Sequence, residues 1–261
     1  MSRIVTIASG KGGVGKTWLA ASLAQAAAER GARTLLVDAD WGLANADVQL
    51  GVTAAPVLPV KGNAADLAAA TVRVGGFDLL AGASGSGRLA DLTIAVRDRL
   101  AAELRLLARA YDVVFVDLAP GADASLRRWW RLGDIRLLLV TTDPTSLTDA
   151  YALLKLCRRD GDARAVRAVV NRAASLEAAV AAAERLTRAA RGFLGVAVET
   201  AGLLLEDPRV PASIRAQQPF LVQHGTSATA AKLRSLQRRL AGETAQKPSA
   251  QPSLRLSEPA T

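Results

Sequence analysis

Residues 10–17 read Gly10-Lys11-Gly12-Gly13-Val14-Gly15-Lys16-Thr17, which matches the phosphate-binding spacing G-x-x-x-x-G-K-[ST]. The apolar run Ile4–Ala8 before it predicts a buried strand, and Trp18–Ala24 after it predicts the beginning of a helix. A glycine-rich turn that matched the spacing by chance would not need this strand and this helix. The sequence therefore predicts a phosphate-binding loop near the amino end of the chain.

The chemistry of such a loop gives each residue type a role. Glycines let several backbone N–H groups point at phosphate oxygens, and the positive end of the helix lies under the same anion. Lys16 adds a point charge at the β- and γ-phosphates, and Thr17 offers a hydroxyl to Mg²⁺. The residues expected to hold the nucleotide phosphates are Gly12, Gly13, Val14, Gly15, Lys16, Thr17 and Trp18.

Acidic residues end two further predicted strands. One apolar segment leads into Asp38 and Asp40, and another, Val113–Val116, leads into Asp117. Ligands of open α/β sheets bind at the carboxyl ends of the strands, so these carboxylates are expected to face the phosphate-binding loop. Asp117 is then expected to hold Mg²⁺ opposite Thr17. Asp38 and Asp40 have an alternative role as caps of the following turn, which fits Asp38 better than Asp40.

The composition sets the fold class. The chain has 261 residues, of which 50% are hydrophobic, and it is long enough for one α/β domain or slightly more. Apolar strands alternate with Ala- and Leu-rich helical segments, which predicts a single P-loop domain over residues 1–241 with a doubly wound, mostly parallel β-sheet flanked by α-helices. Residues 242–261 are rich in Pro, Ser, Gln and Thr, and they are predicted to form a disordered tail.

Targeting signals and cysteine usage indicate the compartment. No apolar run approaches the ~18–20 residues that span a bilayer. The first residues lead straight into the first strand, which leaves no room for a signal peptide. The single cysteine, Cys157, fits a reducing compartment without disulfides. We therefore expect a cytoplasmic protein.

The net charge of +9 favours an anionic partner surface. Nucleic acid and the inner face of the cell membrane both fit, and charge alone does not choose between them. A third interpretation is that arginine simply replaces lysine over a solvated surface.

Lys11 is a second lysine that the general spacing does not require. Lys11-Gly-Gly-Val-Gly-Lys16-Thr17 resembles the deviant Walker A motif of the MinD/ParA ATPases. The resemblance implies ATP/ADP and Mg²⁺ as cofactors, slow partner-stimulated ATP hydrolysis, and an ATP-bound homodimer in which Lys11 reaches the partner's nucleotide. The alternative for Lys11 is a solvated loop lysine. The implied catalytic residues are Lys11, Lys16 and Asp40, and the implied metal-binding residues are Thr17, Asp38 and Asp117.

The same resemblance gives two further roles and excludes two classes of relative. Asp40 would orient the attacking water, and the N–H of Gly121 would meet the γ-phosphate. Iron–sulfur relatives need at least two cysteines in each subunit, and this chain has only Cys157. Bacterial tyrosine kinases with this core carry a tyrosine-rich tail, whereas Tyr111 and Tyr151 are the only tyrosines here.

Three longer segments resemble the flagellar-number regulators of the FlhG/FleN type. They are DADWGLANADVQLGV (38–52), DLLAGASGSGRLADL (78–92) and TTDPTSLTDAYALLK (141–155). The likeness covers Ile4 to Leu240 and implies that Asn171 reads the adenine edge, while Asp207 and Pro208 form a second adenine-side loop. An asparagine that follows a strand is otherwise usually a turn residue.

The resemblance implies a function in the number or placement of flagella, with a signal-recognition-type GTPase of flagellar assembly as partner. The rival hypothesis is a ParA-like positioning ATPase that works on nonspecific DNA, which the positive charge favours.

Two surface hypotheses concern tryptophan and the last helix. Trp18, Trp41, Trp129 and Trp130 follow nucleotide-binding segments, which indicates either an aromatic and arginine-rich interaction surface or packing within the fold. The predicted helix 226–240 carries an apolar stripe of Leu233, Leu236 and Leu240 beside basic residues. This pattern fits either peripheral contact with the membrane or packing on its own domain.

Overall fold

The computed structural model describes residues 2–40, 44–82, 93–162 and 164–242. Its described strands form one sheet: β1 Arg3–Ser9, β2 Thr34–Ala39, β3 Val72–Val74, β4 Phe77–Leu80, β5 Val113–Pro120, β6 Ile135–Val140, β7 Val166–Ala173 and β8 Val198–Leu205. The order across the sheet is β3-β4-β2-β5-β1-β6-β7-β8, and every neighbouring pair is parallel except β3 with β4. The predicted doubly wound, mostly parallel α/β fold is confirmed.

Helices cover both faces of the sheet. They are α1 Lys16–Ala28, α2 Ala46–Gln49, α3 Ala64–Ala69, α4 Ile94–Ala108, α5 Ala124–Trp130, α6 Pro144–Arg159, α7 Leu176–Ala189, α8 Arg209–Arg215, α9 Phe220–His224 and α10 Ala228–Leu240. A π-helical turn, Ala190–Leu194, continues α7. Helices α1, α9 and α10 pack on one face, and α4 to α7 pack on the other. The central strands are therefore mainly apolar, and the polar residues that they carry, such as Thr6, Arg136 and Asp117, are buried.

Strand register places the predicted acids together. Asp38 and Asp117 are direct partners in the β2–β5 ladder, and Asp117 also pairs with Ile7 of β1. Side chains of parallel register partners point to the same face of a sheet, which here is the face covered by α1. The carboxyl ends of β2 and β5 therefore bring both carboxylates next to the loop that joins β1 to α1.

The two edge strands are less regular in sequence than the central strands. Strand β3 lies in the Pro- and Gly-containing stretch 51–76, and it pairs antiparallel with β4 at the sheet edge. Strand β8 is continuous, although the exposed polar residues Glu199 and Thr200 interrupt its apolar run. Gly202 of β8 packs under Leu236 of α10.

The hypothesis of an aromatic interaction surface is wrong for three of the four tryptophans. Trp18, Trp129 and Trp130 are all buried. The indole of Trp18 packs edge-on against Phe220, with ring centroids 5.6 Å apart. Trp41 lies outside the described residues.

The charges around Trp130 explain why its arginine-rich neighbourhood is not an open patch. The guanidinium of Arg136 lies 5.5 Å from the Trp130 ring. Arg127 pairs with Asp160 at 2.6 Å, and Arg128 pairs with Asp98 at 2.7 Å. The arginines that flank the tryptophans are therefore held by acids of the same chain.

We expect Trp130→Ala to lower the free energy of unfolding by about 3–5 kcal/mol, because it removes a large side chain that is only 1% exposed. Chemical denaturation measures the effect. The matched control is Arg128→Ala, which removes an exposed ion pair and should cost less than about 1 kcal/mol. A Trp130 variant as stable as this control, with weakened self-association, would restore the surface hypothesis.

Helix α10 packs on its own domain, which decides between the two alternatives for this segment. Leu233, Leu236 and Leu240 are all buried, chiefly against α1 and β8. Arg234 pairs with Glu29 of α1 at 2.7 Å. The apolar stripe is therefore not available for a membrane in this structure. Among the described residues, no helix has the length and hydropathy needed to cross a bilayer. The predicted tail lies outside the described residues from 243 onward.

Candidate nucleotide and magnesium site

The loop of residues 10–15 joins the end of β1 to the beginning of α1. Gly15 has a φ of +95°, and a Cβ placed there would lie 2.7 Å from the Asn171 side-chain nitrogen. Only glycine fits this position without strain. The carbonyl of Gly15 accepts the first helical bond, from Leu19 N–H at 3.0 Å. The N-terminus of α1 thus opens directly onto the loop, as anion binding requires.

Lys16 is buried inside the loop. Its Nζ donates to Ser9 Oγ at 2.9 Å, and the Ser9 hydroxyl donates to the Lys11 carbonyl at 2.6 Å. Burial lowers the pKa of Lys16, while Asp117 and Asp40 oppose that shift. Ser9 is a site residue that sequence reasoning missed. Its only signal was a small polar residue directly before Gly10.

Thr17 and Asp117 meet as predicted. Thr17 Oγ1 donates to Asp117 Oδ2 at 2.6 Å, whereas Asp117 Oδ1 is buried without a hydrogen-bond partner. Burial and the neighbouring Asp38 carboxylate raise the pKa of Asp117. A buried, unsatisfied carboxylate oxygen beside a hydroxyl fits a hard divalent cation. The residues present therefore suit Mg²⁺.

The described residues contain no group of three or more His, Cys, Asp or Glu that could hold a metal alone. Mg²⁺ commonly takes one or two protein ligands and completes its shell with phosphate oxygens and water. Thr17 and Asp117 supply that number.

The Asp38 carboxylate binds backbone groups that follow β2. Its carboxylate accepts backbone N–H groups from Asp40 at 3.1 Å, Asn45 at 2.9 Å and Ala46 at 2.9 Å. Burial raises the pKa of Asp38 to about 6, and these hydrogen bonds oppose the shift. Asp38 therefore caps the beginning of α2, in line with the capping role among its predicted alternatives, and lies beside Asp117. Asp40 is half-buried and near enough to Lys16 to affect its pKa.

Lys11 lies at the rim of the loop, and its side chain is 41% exposed. Its Nζ donates to Thr145 Oγ1 at 2.8 Å and lies 3.7 Å from Asp143 Oδ2. The Gly121 N–H, expected at the γ-phosphate, donates to the Ser9 carbonyl at 2.9 Å. Both groups therefore have partners within the chain that they would have to exchange for phosphate.

The side chains of Asn171 and Arg172 bind backbone carbonyls of the phosphate-binding loop. Asn171 Nδ2 donates to the Val14 carbonyl at 2.9 Å, and an Arg172 guanidinium nitrogen donates to the Gly13 carbonyl at 3.3 Å. Arg172 has a φ of +56°, which is unusual for a residue other than glycine. It also lies 3.8 Å from Glu206 and so links the loop to the predicted adenine-side segment.

Asp207 anchors the adenine-side segment through its carboxylate. It accepts hydrogen bonds from the Arg209 guanidinium at 2.8 and 2.9 Å and from Thr229 Oγ1 at 2.6 Å. The Arg209 bonds lower the pKa of Asp207 to about 2. The Asp207 carboxylate is therefore already held by partners within the chain. Trp18 likewise has its side chain buried, which leaves its backbone to face the loop.

Comparisons with known proteins indicate the family of this chain. Residues 5–220 match the model of the CobQ/CobB/MinD/ParA nucleotide binding domain. The antiactivator FleN of Pseudomonas aeruginosa is 34% identical over 218 residues, which cover 83% of this chain and 78% of FleN. The flagellum site-determining protein YlxH of Helicobacter pylori is 31% identical over 214 residues, which cover 78% of this chain and 71% of YlxH.

A solved structure shares the fold. The septum site-determining protein MinD of Pyrococcus horikoshii, complexed with Mg-ADP, superposes with a TM-score of 0.76. It is 23% identical, and the match covers 92% of this chain and 96% of that protein. The family match spans most of the described residues, including the loop with its two lysines. The chain therefore belongs to the MinD/ParA family of nucleotide-binding ATPases.

Proposed function

We propose that this protein is an ATP-dependent dimerising switch that hydrolyses ATP slowly. The observation that carries the proposal is the difference between the two lysines of one loop. Lys16 is buried on Ser9, so it can serve only the nucleotide of its own subunit. Lys11 lies at the exposed rim, from which a flexible side chain can reach a nucleotide bound to a second subunit.

Each site residue has a role in hydrolysis. Lys16 and the N–H groups of the loop hold the phosphates, and Asp40 orients the attacking water. Thr17 and Asp117 would hold Mg²⁺, with Asp38 behind them. When bound, Mg²⁺ neutralises charge on the β- and γ-phosphates. The Asn171 amide and the backbone at 206–208 would face the base.

The proposed output is control of the number or placement of flagella. Support comes from two relatives above 30% identity, which are named as an antiactivator and as a flagellum site-determining protein. The partner proposed from the same likeness is a signal-recognition-type GTPase of flagellar assembly. Hydrolysis stimulated by a partner would return the dimer to monomers.

A second candidate is a ParA-like positioning ATPase on DNA, which the net charge of +9 favours. Retention on nonspecific DNA that falls steeply with salt would support it. ATP-dependent sedimentation with anionic vesicles would support a membrane surface instead. Such binding would have to use a surface other than the apolar stripe of α10, which is buried.

The central test uses a background that cannot hydrolyse ATP. In Asp40→Ala, Mg-ATP is expected to convert the chain to a dimer, as measured by light scattering after gel filtration. Adding Lys11→Ala should keep the chain monomeric while it still binds nucleotide, and adding Lys16→Ala should abolish binding. A monomeric Asp40→Ala protein that has bound ATP would rule out the dimerising switch.

A further inference from the structure

An open groove of about 550 Å³ lies between α6 and α7. Its walls are mainly apolar and include Leu147, Tyr151, Leu186 and Phe193. Among the described residues that line the groove, Arg185 is charged and none carries a carboxylate. The groove is separate from the nucleotide site and has the apolar floor typical of helix-binding surfaces.

The π-helical turn at the end of α7 holds Phe193 in solvent. Ala190 at the beginning of this turn is fully buried, whereas Phe193 is 81% exposed. Gly195, with a φ of +63°, ends the turn. Isolated π-helical turns occur frequently at functional sites, and a phenylalanine so exposed next to an apolar groove extends the apolar surface.

Helix α6 connects the groove to the phosphate-binding loop. One side of α6 supplies Leu147 and Tyr151 to the groove. On its other side, the backbone at Asp149 lies against Gly10, and Thr145 accepts the hydrogen bond from Lys11. A ligand in the groove would therefore contact the helix that holds the lysine proposed to act across the dimer.

We propose that this groove docks an amphipathic helix of a partner protein, with apolar residues on one face and carboxylates beside them. Charge selects the occupant: Arg185 lines the groove, and Lys155 continues the face of α6 one turn beyond Tyr151. Concavity disfavours a bilayer, because a flat surface reaches Phe193 but not the buried Leu186 at the floor. The proposal rests on the proposed function and gives its stimulating partner a site.

The test uses a fluorescent 18-residue helical peptide with leucines at i, i+3, i+4 and i+7 and glutamates on the flanks. Anisotropy with the full chain should show saturable binding. A peptide with lysine in place of each glutamate should bind at least tenfold more weakly. The double variant Arg185→Glu/Lys155→Glu should reverse this preference. Phe193→Ala should weaken the glutamate peptide about tenfold, whereas Val222→Ala, at an exposed valine on α9, should not.

Absence of saturable binding, or a peptide preference that the charge-reversed variant keeps, would overturn the proposal. Vesicles of phosphatidylglycerol and phosphatidylcholine provide the other arm. Vesicle binding that is lost in Phe193→Ala, without peptide binding, would assign the surface to lipid. Anisotropy needs no ATP turnover, so failure here is distinguishable from failure of the dimerisation test with Lys11.

Discussion

Asp117→Asn is expected to abolish Mg²⁺-dependent ATP hydrolysis and, at the same time, to make the nucleotide-free protein more stable. The ATPase rate should fall by at least about 100-fold, because a metal supplies several kcal/mol of charge stabilisation. The free energy of unfolding near pH 7 should rise by about 1–2 kcal/mol, since folding of the wild type forces Asp117 either to take up a proton or to stay charged while buried beside Asp38, and asparagine needs neither. Opposite signs for stability and activity are characteristic of a functional carboxylate.

The pH dependence gives this prediction a second readout. The folded-state pKa of Asp117 is raised above the unfolded value of about 3.9, so the folded protein holds its proton more tightly. The stability gained from holding this proton is fully present below the unfolded pKa of Asp117, and it is lost as the pH rises through the folded pKa. The melting temperature of the nucleotide-free protein should therefore fall from pH 6 to pH 8, and Asp117→Asn should reduce the slope.

The control is Asp112→Asn. Hydrogen bonds from Arg33 lower the pKa of Asp112 to about 2, so its contribution is lost only in acid. This variant should leave the slope between pH 6 and pH 8 unchanged. An Asp117→Asn protein that melts below the wild type without nucleotide, and keeps the wild-type slope, would contradict the burial argument.

Local patterns predicted the elements of the site. The glycine loop, the strand before it and the helix after it are consecutive in sequence, and apolar strands that end in Asp38 and Asp117 are visible without tertiary information. The meeting of Thr17 with Asp117 followed from the rule that parallel strands place their carboxyl ends at one edge. Sequence order and strand direction were sufficient for these residues.

Partners brought together only by folding were not predictable. The Ser9 bond to Lys16, the Thr145 bond to Lys11 and the Asn171 bond to the Val14 carbonyl depend on how loops approach one another. No periodicity reports such contacts.

Covered and open apolar surfaces look alike in sequence. The leucine stripe of α10 meets α1, whereas Phe193 remains in solvent. An amphipathic pattern shows that a face needs a partner, but it does not show which partner covers it. Trp129 and Trp130 are a second example: they stand among arginines in the sequence, yet the fold buries both indoles.

Gly10 and Gly12 are the loop glycines whose φ angles suit alanine, and of these two Gly10→Ala should disrupt the loop more. A Cβ at Gly10 would overlap the carbonyl group of Asp149 and lie 2.7 Å from the Ala150 nitrogen. These are backbone atoms of α6, so relief requires the helix to move away from β1. We expect a loss of about 1–3 kcal/mol in the free energy of unfolding and at least tenfold weaker ATP binding, because Lys11 and Lys16 follow the displaced loop.

Gly12→Ala is the matched control for folding, since a Cβ there would find only Pro120, at 3.8 Å. Its free energy of unfolding, measured by urea denaturation, should stay within about 0.5 kcal/mol of the wild type. Equal losses in the two variants would show that the loop resists any added methyl group, and that contact between Gly10 and α6 is not what fixes it. A loss of unfolding free energy confined to Gly10→Ala would establish that α6 supports the phosphate-binding loop. Because the groove between α6 and α7 lies on the opposite side of α6, only this helix would then separate the groove from the nucleotide.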